Sequence, residues 1–122
     1  MPPNPSSLAN EEFCYLTTTG RVSGLPREIE IWFNLDGSTL YMLSGGRDRS
    51  NWVRNLMRKP EVSVRIGGQT FTGEGRVVDA DSAEDALARK LLFEKYQPIH
   101  DGDLTNWSRT ALPVAVELEV EI

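Results

Sequence analysis

A small antiparallel β-barrel with one long helix, mainly β with an α component, is the fold class this sequence predicts. Three observations carry the prediction. Asp36-Gly37 and Gly67-Gly68 each stand between runs rich in β-branched and aromatic residues, the pattern of two tight hairpins. Six runs in all have strand character, most with apolar and polar residues alternating at a period of two. Gly73 and Gly75 occupy alternate positions of one run, which marks a bulge, a barrel corner or a close backbone approach. Hairpins make antiparallel pairs, and six twisted strands with glycine kinks suit a closed barrel that removes exposed edges.

The elements follow in order. Residues 1–7 are rich in proline and serine, and residues 1–12 are expected to form a flexible tail ahead of one domain over 13–122. Residues 8–12 have room for one helical turn. Residues 13–19 have strand composition, and a turn with two glycines and Pro26 follows. The strand expected over 27–34 places Ile29, Ile31 and Phe33 on one face and Glu28, Glu30 and Trp32 on the other. Residues 39–43 complete the first hairpin; 62–66 and 69–78 make the second. A helix is expected over 81–96, opened by a capping box from Asp81 to Glu84 and closed by Pro98. Its buried face is Leu87, Ala88, Leu91, Leu92 and Tyr96. Residues 103–110 have the makings of a short helical turn carrying Trp107. The last strand sends Val114, Val116, Leu118, Val120 and Ile122 inward, with Glu117, Glu119 and Glu121 on an outer face that discourages edge pairing.

Composition narrows the function. The 122 residues carry a formal net charge of −5, without the basic footprint that bulk nucleic-acid binding requires. No apolar run approaches the ~20 residues of a membrane helix, and no signal segment is visible, so a cytoplasmic location is expected. Cys14 and His100 are the only residues of their types. They leave no internal disulfide, no cysteine metal cluster and no multi-histidine site. Cys14 reads as a small buried hydrophobe and His100 as a surface residue in a loop.

Against that acidic balance, residues 44–60 gather Arg47, Arg49, Arg54, Arg58 and Lys59 against one Asp48. The stretch reads as a glycine turn, a basic loop and a short helix stopping before Pro60. Ser44, Gly45, Gly46 and Ser50 can offer N–H or hydroxyl donors, with Ser50 capping the helix or facing a ligand. This is the pattern of a cradle for a phosphate-bearing small molecule. Trp52, Val53, Leu56 and Met57 at helical spacing equally describe an ordinary core stripe, and Arg54 and Arg58 an ordinary solvated face.

The chain resembles a known family along most of its length. Leu16-Thr17-Thr18-Thr19-Gly20-Arg21, Ser23-Gly24 and Pro26-Arg27 are similar to the opening of the deazaflavin-dependent nitroreductases. Trp32, Asp36-Gly37, Ser44-Gly45-Gly46, Trp52, Asn55-Leu56, Pro60, Val62, Trp107 and Pro113-Val114 continue the resemblance in the same order. It implies a split β-barrel of the flavin-reductase type, reduced coenzyme F420 as cofactor, and hydride transfer to a quinone or nitro-aromatic acceptor. It also implies a homodimer.

Trp32 becomes a wall against a flat ring, and Ser44, Gly45, Gly46, Arg47, Arg49, Ser50, Trp52, Asn55 and Arg27 become cofactor contacts. Arg21 flanks the same turn as Arg27, where either can reach a phosphate or carboxylate. The family's Ser-Lys-Gly-Gly is here the shorter Ser44-Gly45-Gly46, so Arg47 and Arg49 are expected to replace the lysine as anion anchor. The shorter loop is closer to FMN-binding relatives of the same fold, which keeps FMN as the alternative cofactor. The segment before Trp107 has Tyr96 in place of several tyrosines. Tyr41 and Tyr96 are the candidate proton donors, and a split-barrel module that binds a cofactor, haem or lipid without turnover is the alternative function.

Overall fold

A computed structural model describes residues 8–119 of the chain. In order these form β1 (Cys14–Thr19), β2 (Pro26–Ile31), β3 (Asn34–Asp36), β4 (Thr39–Ser44), α1 (Asn51–Arg58), β5 (Glu61–Ile66), β6 (Gln69–Val77), α2 (Ala83–Tyr96), α3 (Thr105–Thr110) and β7 (Leu112–Leu118). The strands make one antiparallel sheet in the order β2-β1-β5-β6-β7-β4-β3. Its edges, β2 and β3, are joined through Trp32 and Phe33 alone, so the curled sheet is closed there by the chain rather than by ladder bonds. None of the described helices is long and apolar enough to cross a membrane.

Seven strands replace the six expected because the run 27–34 breaks in two. The cause is Tyr96, at the end of α2. Its hydroxyl accepts a hydrogen bond from the Phe33 N–H at 2.9 Å and lies 2.9 Å from the Phe33 carbonyl. The Lys95 ammonium donates to the same carbonyl at 2.8 Å, so both backbone groups of Phe33 are taken from any strand ladder. The Tyr96 ring also stacks on Trp32, with centroids 4.2 Å apart and planes 5° from parallel.

The second hairpin forms where the sequence places it, but the first is shorter: its turn is Gly37-Ser38, joining β3 to β4, and residues 26–31 pair with β1 rather than β4. Gly67 and Gly68 have φ of 55° and 82°, the two positive values a two-residue primed turn requires, and Ile66 pairs with Gln69 across it. The last strand differs from expectation. It lies between β6 and β4, not at an edge, and it is buried on both faces. Val114, Val116 and Leu118 enter the barrel interior with Leu16, Phe33, Leu40, Met42 and Val64. Ala115 joins Tyr41, Leu43, Ala88, Leu92 and Tyr96 in a second core beneath α2. Val120, Glu121 and Ile122 lie outside the described residues.

Each helix has a specific seat. Val53 and Leu56 of α1 plug the barrel, and a Cβ on Gly75 would lie 2.4 Å from Leu56 Cδ1, so β6 carries glycine where the helix crosses. The helix α2 begins two residues later than expected. Ser82, not Asp81, is its N-cap: Ser82 Oγ accepts from the Asp85 N–H at 3.0 Å, and the Asp85 carboxylate accepts from the Asp81 N–H at 2.8 Å. Glu84 is drawn away from the cap by Arg76, which donates two bonds to it at 2.6 and 2.7 Å, and by the Tyr41 hydroxyl at 2.7 Å. Cys14 is buried, and burial pushes its thiol up to about 12, so it stays a neutral hydrophobe at ordinary pH.

Candidate functional site

Two cavities open along β2. The first, of about 490 Å³, lies between the β1–β2 turn and α1. Arg21, Ser23, Arg27, Asn51, Trp52 and Asn55 contribute to its lining. The turn is built tightly: Gly20 N–H donates to the Leu25 carbonyl at 2.8 Å, and a Cβ on Gly20 would lie 2.6 Å from Ser23 Oγ. Asn55 fastens this turn to the helix. Its buried side-chain oxygen accepts from the Arg21 N–H at 3.1 Å and from the Arg21 guanidinium at 2.8 Å, while its amide donates to Thr18 Oγ1 at 3.3 Å. Arg21 also reaches Asn51 at 3.2 Å.

Among the described residues Arg27 has a looser hold, a single 3.4 Å contact with Ser23 Oγ. A guanidinium has five N–H donors, so most of its capacity is left to the cavity. Two guanidinium groups and a hydroxyl, backed by the Trp52 indole, make a donor set suited to a phosphate or carboxylate beside an apolar surface.

The second cavity, of about 470 Å³, is aromatic. Phe13, Trp32, Leu43, His100, Leu104 and Trp107 line most of it. Trp32 is its floor, fixed by the stack on Tyr96. Trp107 and His100 stand edge-on to Trp32 at 5.6 and 5.5 Å. The loop bearing His100 and Leu104 is clasped by Gln97, whose amide donates to the Gly102 carbonyl at 2.8 Å and accepts from the Leu104 N–H at 2.7 Å.

The residues singled out from the sequence therefore divide. Arg27, Trp52 and Asn55 come together in the first cavity, and Trp32 lines the second. Ser44, Gly45, Gly46, Arg47, Arg49 and Ser50 line neither. Ser50 stands at the N-cap position of α1 without capping it, because its hydroxyl is 2.8 Å from the buried Ser44 hydroxyl. The Ser44 hydroxyl also donates to the Arg47 carbonyl at 2.9 Å. Arg47 adopts a left-handed φ of 54°, and its guanidinium donates to the Thr110 carbonyl at the end of α3. Arg49 is exposed. The loop leans on the aromatic cavity from outside: a Cβ on Gly45 would be 3.9 Å from the Trp107 ring.

Both tyrosine hydroxyls have protein partners, Glu84 for Tyr41 and the Phe33 and Glu12 backbone for Tyr96, and neither residue lines either of the two cavities. Burial raises the hydroxyl pKa of both.

Sequence reasoning passed over Phe13, Asn51, His100 and Leu104 as site residues. Phe13 and Leu104 carry no signal beyond apolarity. The Trp32–Trp107 pair was the available clue, since each indole falls in a partly polar context.

The family described as F420H(2)-dependent quinone reductase matches residues 5–119. An F420-H2 dependent reductase, FDR-A, is 26% identical in sequence with a TM-score of 0.69, over 87% of this chain and 94% of that one. HutZ, the heme storage protein from Vibrio cholerae, is 17% identical with a TM-score of 0.73, over 92% of this chain and 86% of that one. A domain-swapped dimer is 23% identical with a TM-score of 0.71, over 87% and 80% of the two chains.

Proposed function

Because this chain belongs to the F420H(2)-dependent quinone reductase family, we propose that it uses reduced coenzyme F420 to reduce a quinone-like or nitro-aromatic acceptor. The observation that supports this most is the pairing of Arg21 and Arg27 with Trp52 in one cavity. Coenzyme F420 has an anionic tail of phosphate and carboxylates, and forked guanidinium donors match either group. Arg27 is the principal anion contact in this reading. Arg21, already engaged by Asn55, adds charge and holds the turn in place. Arg49 is a further cation for the tail, and the Ser44–Ser50 segment braces the aromatic cavity through Gly45 and Arg47.

When bound, the deazaflavin supplies a hydride to the acceptor. The protein's part is to orient and to keep water out. Trp32, Trp107, Phe13 and Leu104 give the second cavity the flat apolar walls that a planar ring needs. A homodimer is part of the proposal; light scattering at micromolar concentration reads it directly, and a monomer mass removes it.

The test of the activity is anaerobic mixing of the purified protein with F420H2 and a soluble quinone. Oxidation of F420H2 that depends on both protein and quinone is the expected result. Binding of FMN with no response to F420 would move the site to flavin chemistry. Binding of F420 without turnover on any quinone or nitro acceptor would leave a binding module.

A further inference from the structure

The end of α2 grips two separate pieces of chain at once. Lys95 Nζ donates to the Glu11 carbonyl at 2.7 Å and to the Phe33 carbonyl at 2.8 Å, and it lies 3.7 Å from the centre of the Phe33 ring. The neighbouring Tyr96 hydroxyl is 2.6 Å from the Glu12 carbonyl and accepts from the Phe33 N–H at 2.9 Å. The residues next to these grips are Phe13 and Trp32, both of which line the aromatic cavity. Neither is held there by a strand: β1 begins at Cys14 and β2 ends at Ile31.

We propose that Lys95 is a positioning residue for the aromatic cavity, its ammonium clamping the Glu11 and Phe33 carbonyls so that Phe13 and Trp32 stand as fixed walls around a flat conjugated ring such as a quinone. The choice of ligand class rests on the function proposed above. The clamp itself rests only on the contacts of Lys95.

The ammonium forms no ion pair among the described residues. The titratable groups facing it are Glu11 and Glu12 from the segment before β1, Cys14 from β1, and Tyr96 from its own helix. Burial holds Lys95 down to about 8, with Cys14, Glu11 and Glu12 pulling the other way. The Cys14 thiol and Tyr96 hydroxyl are both raised, so neither competes with Lys95 between pH 7 and 9. Above pH 8 the clamp keeps its amine hydrogens but loses its charge, and with it the charge-assisted part of both bonds and the attraction to the Phe33 ring. The global fold responds in the opposite sense. A lysine depressed in the folded state gives up its proton before the unfolded chain does, so between about 8 and the unfolded value of ~10.4 its linkage term raises stability with pH. A weaker cavity in that window is therefore not attributable to unfolding through Lys95.

The experiment titrates cofactor-free protein with duroquinone, a fully substituted planar quinone, and follows tryptophan fluorescence at pH 6.5 and 9.5. Wild type should bind about fivefold or more weakly at pH 9.5, the size expected when charge-assisted bonds become neutral ones. Lys95→Arg keeps its charge at both values and should show no such loss. Lys95→Met should bind weakly at both. Equal affinity of wild type at the two pH values overturns the proposal, as does the same loss in Lys95→Arg or an absence of binding at pH 6.5. If Lys95→Met does not fold, wild type and Lys95→Arg still decide the matter. No cofactor is present, so the result is separable from the fate of the F420 reading.

Discussion

Gly75 marks where α1 meets the barrel. Its missing Cβ leaves the space that Leu56 fills, and even a methyl group would stand 2.4 Å from Leu56 Cδ1 and 2.5 Å from Cγ. Gly75→Ala should destabilise the protein by ~1–3 kcal/mol through overpacking. Urea denaturation should also show that Leu56→Ala in the same chain costs less than the sum of the two single changes. Strict additivity would contradict this seat for the helix. The sequence offered part of this: alternate glycines in a strand indicate a bulge, a corner or close approach. It could not say which, because the obstacles come from elsewhere, Leu56 on α1 for Gly75 and the Glu117 carbonyl, 2.6 Å from a Cβ, for Gly73. Tyr41 and Tyr96 are similar. Their hydroxyl partners lie 43 and 63 residues away, so a buried structural tyrosine looks the same in sequence as a proton donor.

At the scale of elements, local signals were legible and long-range ones were not. The Gly67-Gly68 hairpin and the helix ending at Tyr96 are set by neighbours in sequence, and both formed where expected. The break between β2 and β3 was invisible, because it depends on the Tyr96 hydroxyl reaching Phe33. The burial of β7 on both faces was hidden by the alternating glutamates that start at Glu117, which itself faces out, where it accepts from Thr39 Oγ1 at 2.9 Å and meets Arg76 at 2.8 Å. That arginine belongs to the node that ties α2 to the sheet: Arg76 of β6, Tyr41 of β4 and Glu84 of α2. The Arg76 guanidinium, with the Tyr41 hydroxyl, holds the Glu84 carboxyl down to about 2. A carboxylate depressed below its unfolded value of ~4.3 contributes stability that is complete above that value and is lost as pH falls toward the folded one. The urea midpoint of wild type should therefore fall more steeply between pH 4.5 and 2.5 than that of Glu84→Gln. Parallel curves for the two proteins would remove the node as a source of acid sensitivity.

Over the whole molecule, an acidic chain sets its cationic turn and its aromatic slot along one edge strand. The family was legible from short motifs spread over the chain. The partition of the site was not, because residues 44–60 concentrate the cations in sequence while the fold brings Arg21 and Arg27, from a different turn, to the cavity beside Trp52 and Asn55. Arg47, which charge counting favoured, reaches instead to the end of α3. Whether the arginine cavity holds the cofactor's anionic tail is tested most directly by one binding measurement. Coenzyme F420 is titrated at fixed salt into wild type, Arg27→Ala and the double variant Arg47→Ala with Arg49→Ala. A charge-assisted hydrogen bond is worth ~1.5–3 kcal/mol, so Arg27→Ala should weaken binding roughly tenfold to a hundredfold, and the double variant should weaken it less. Unchanged affinity in Arg27→Ala, with a large loss in the double variant, would contradict the account and return the anion site to the loop before α1.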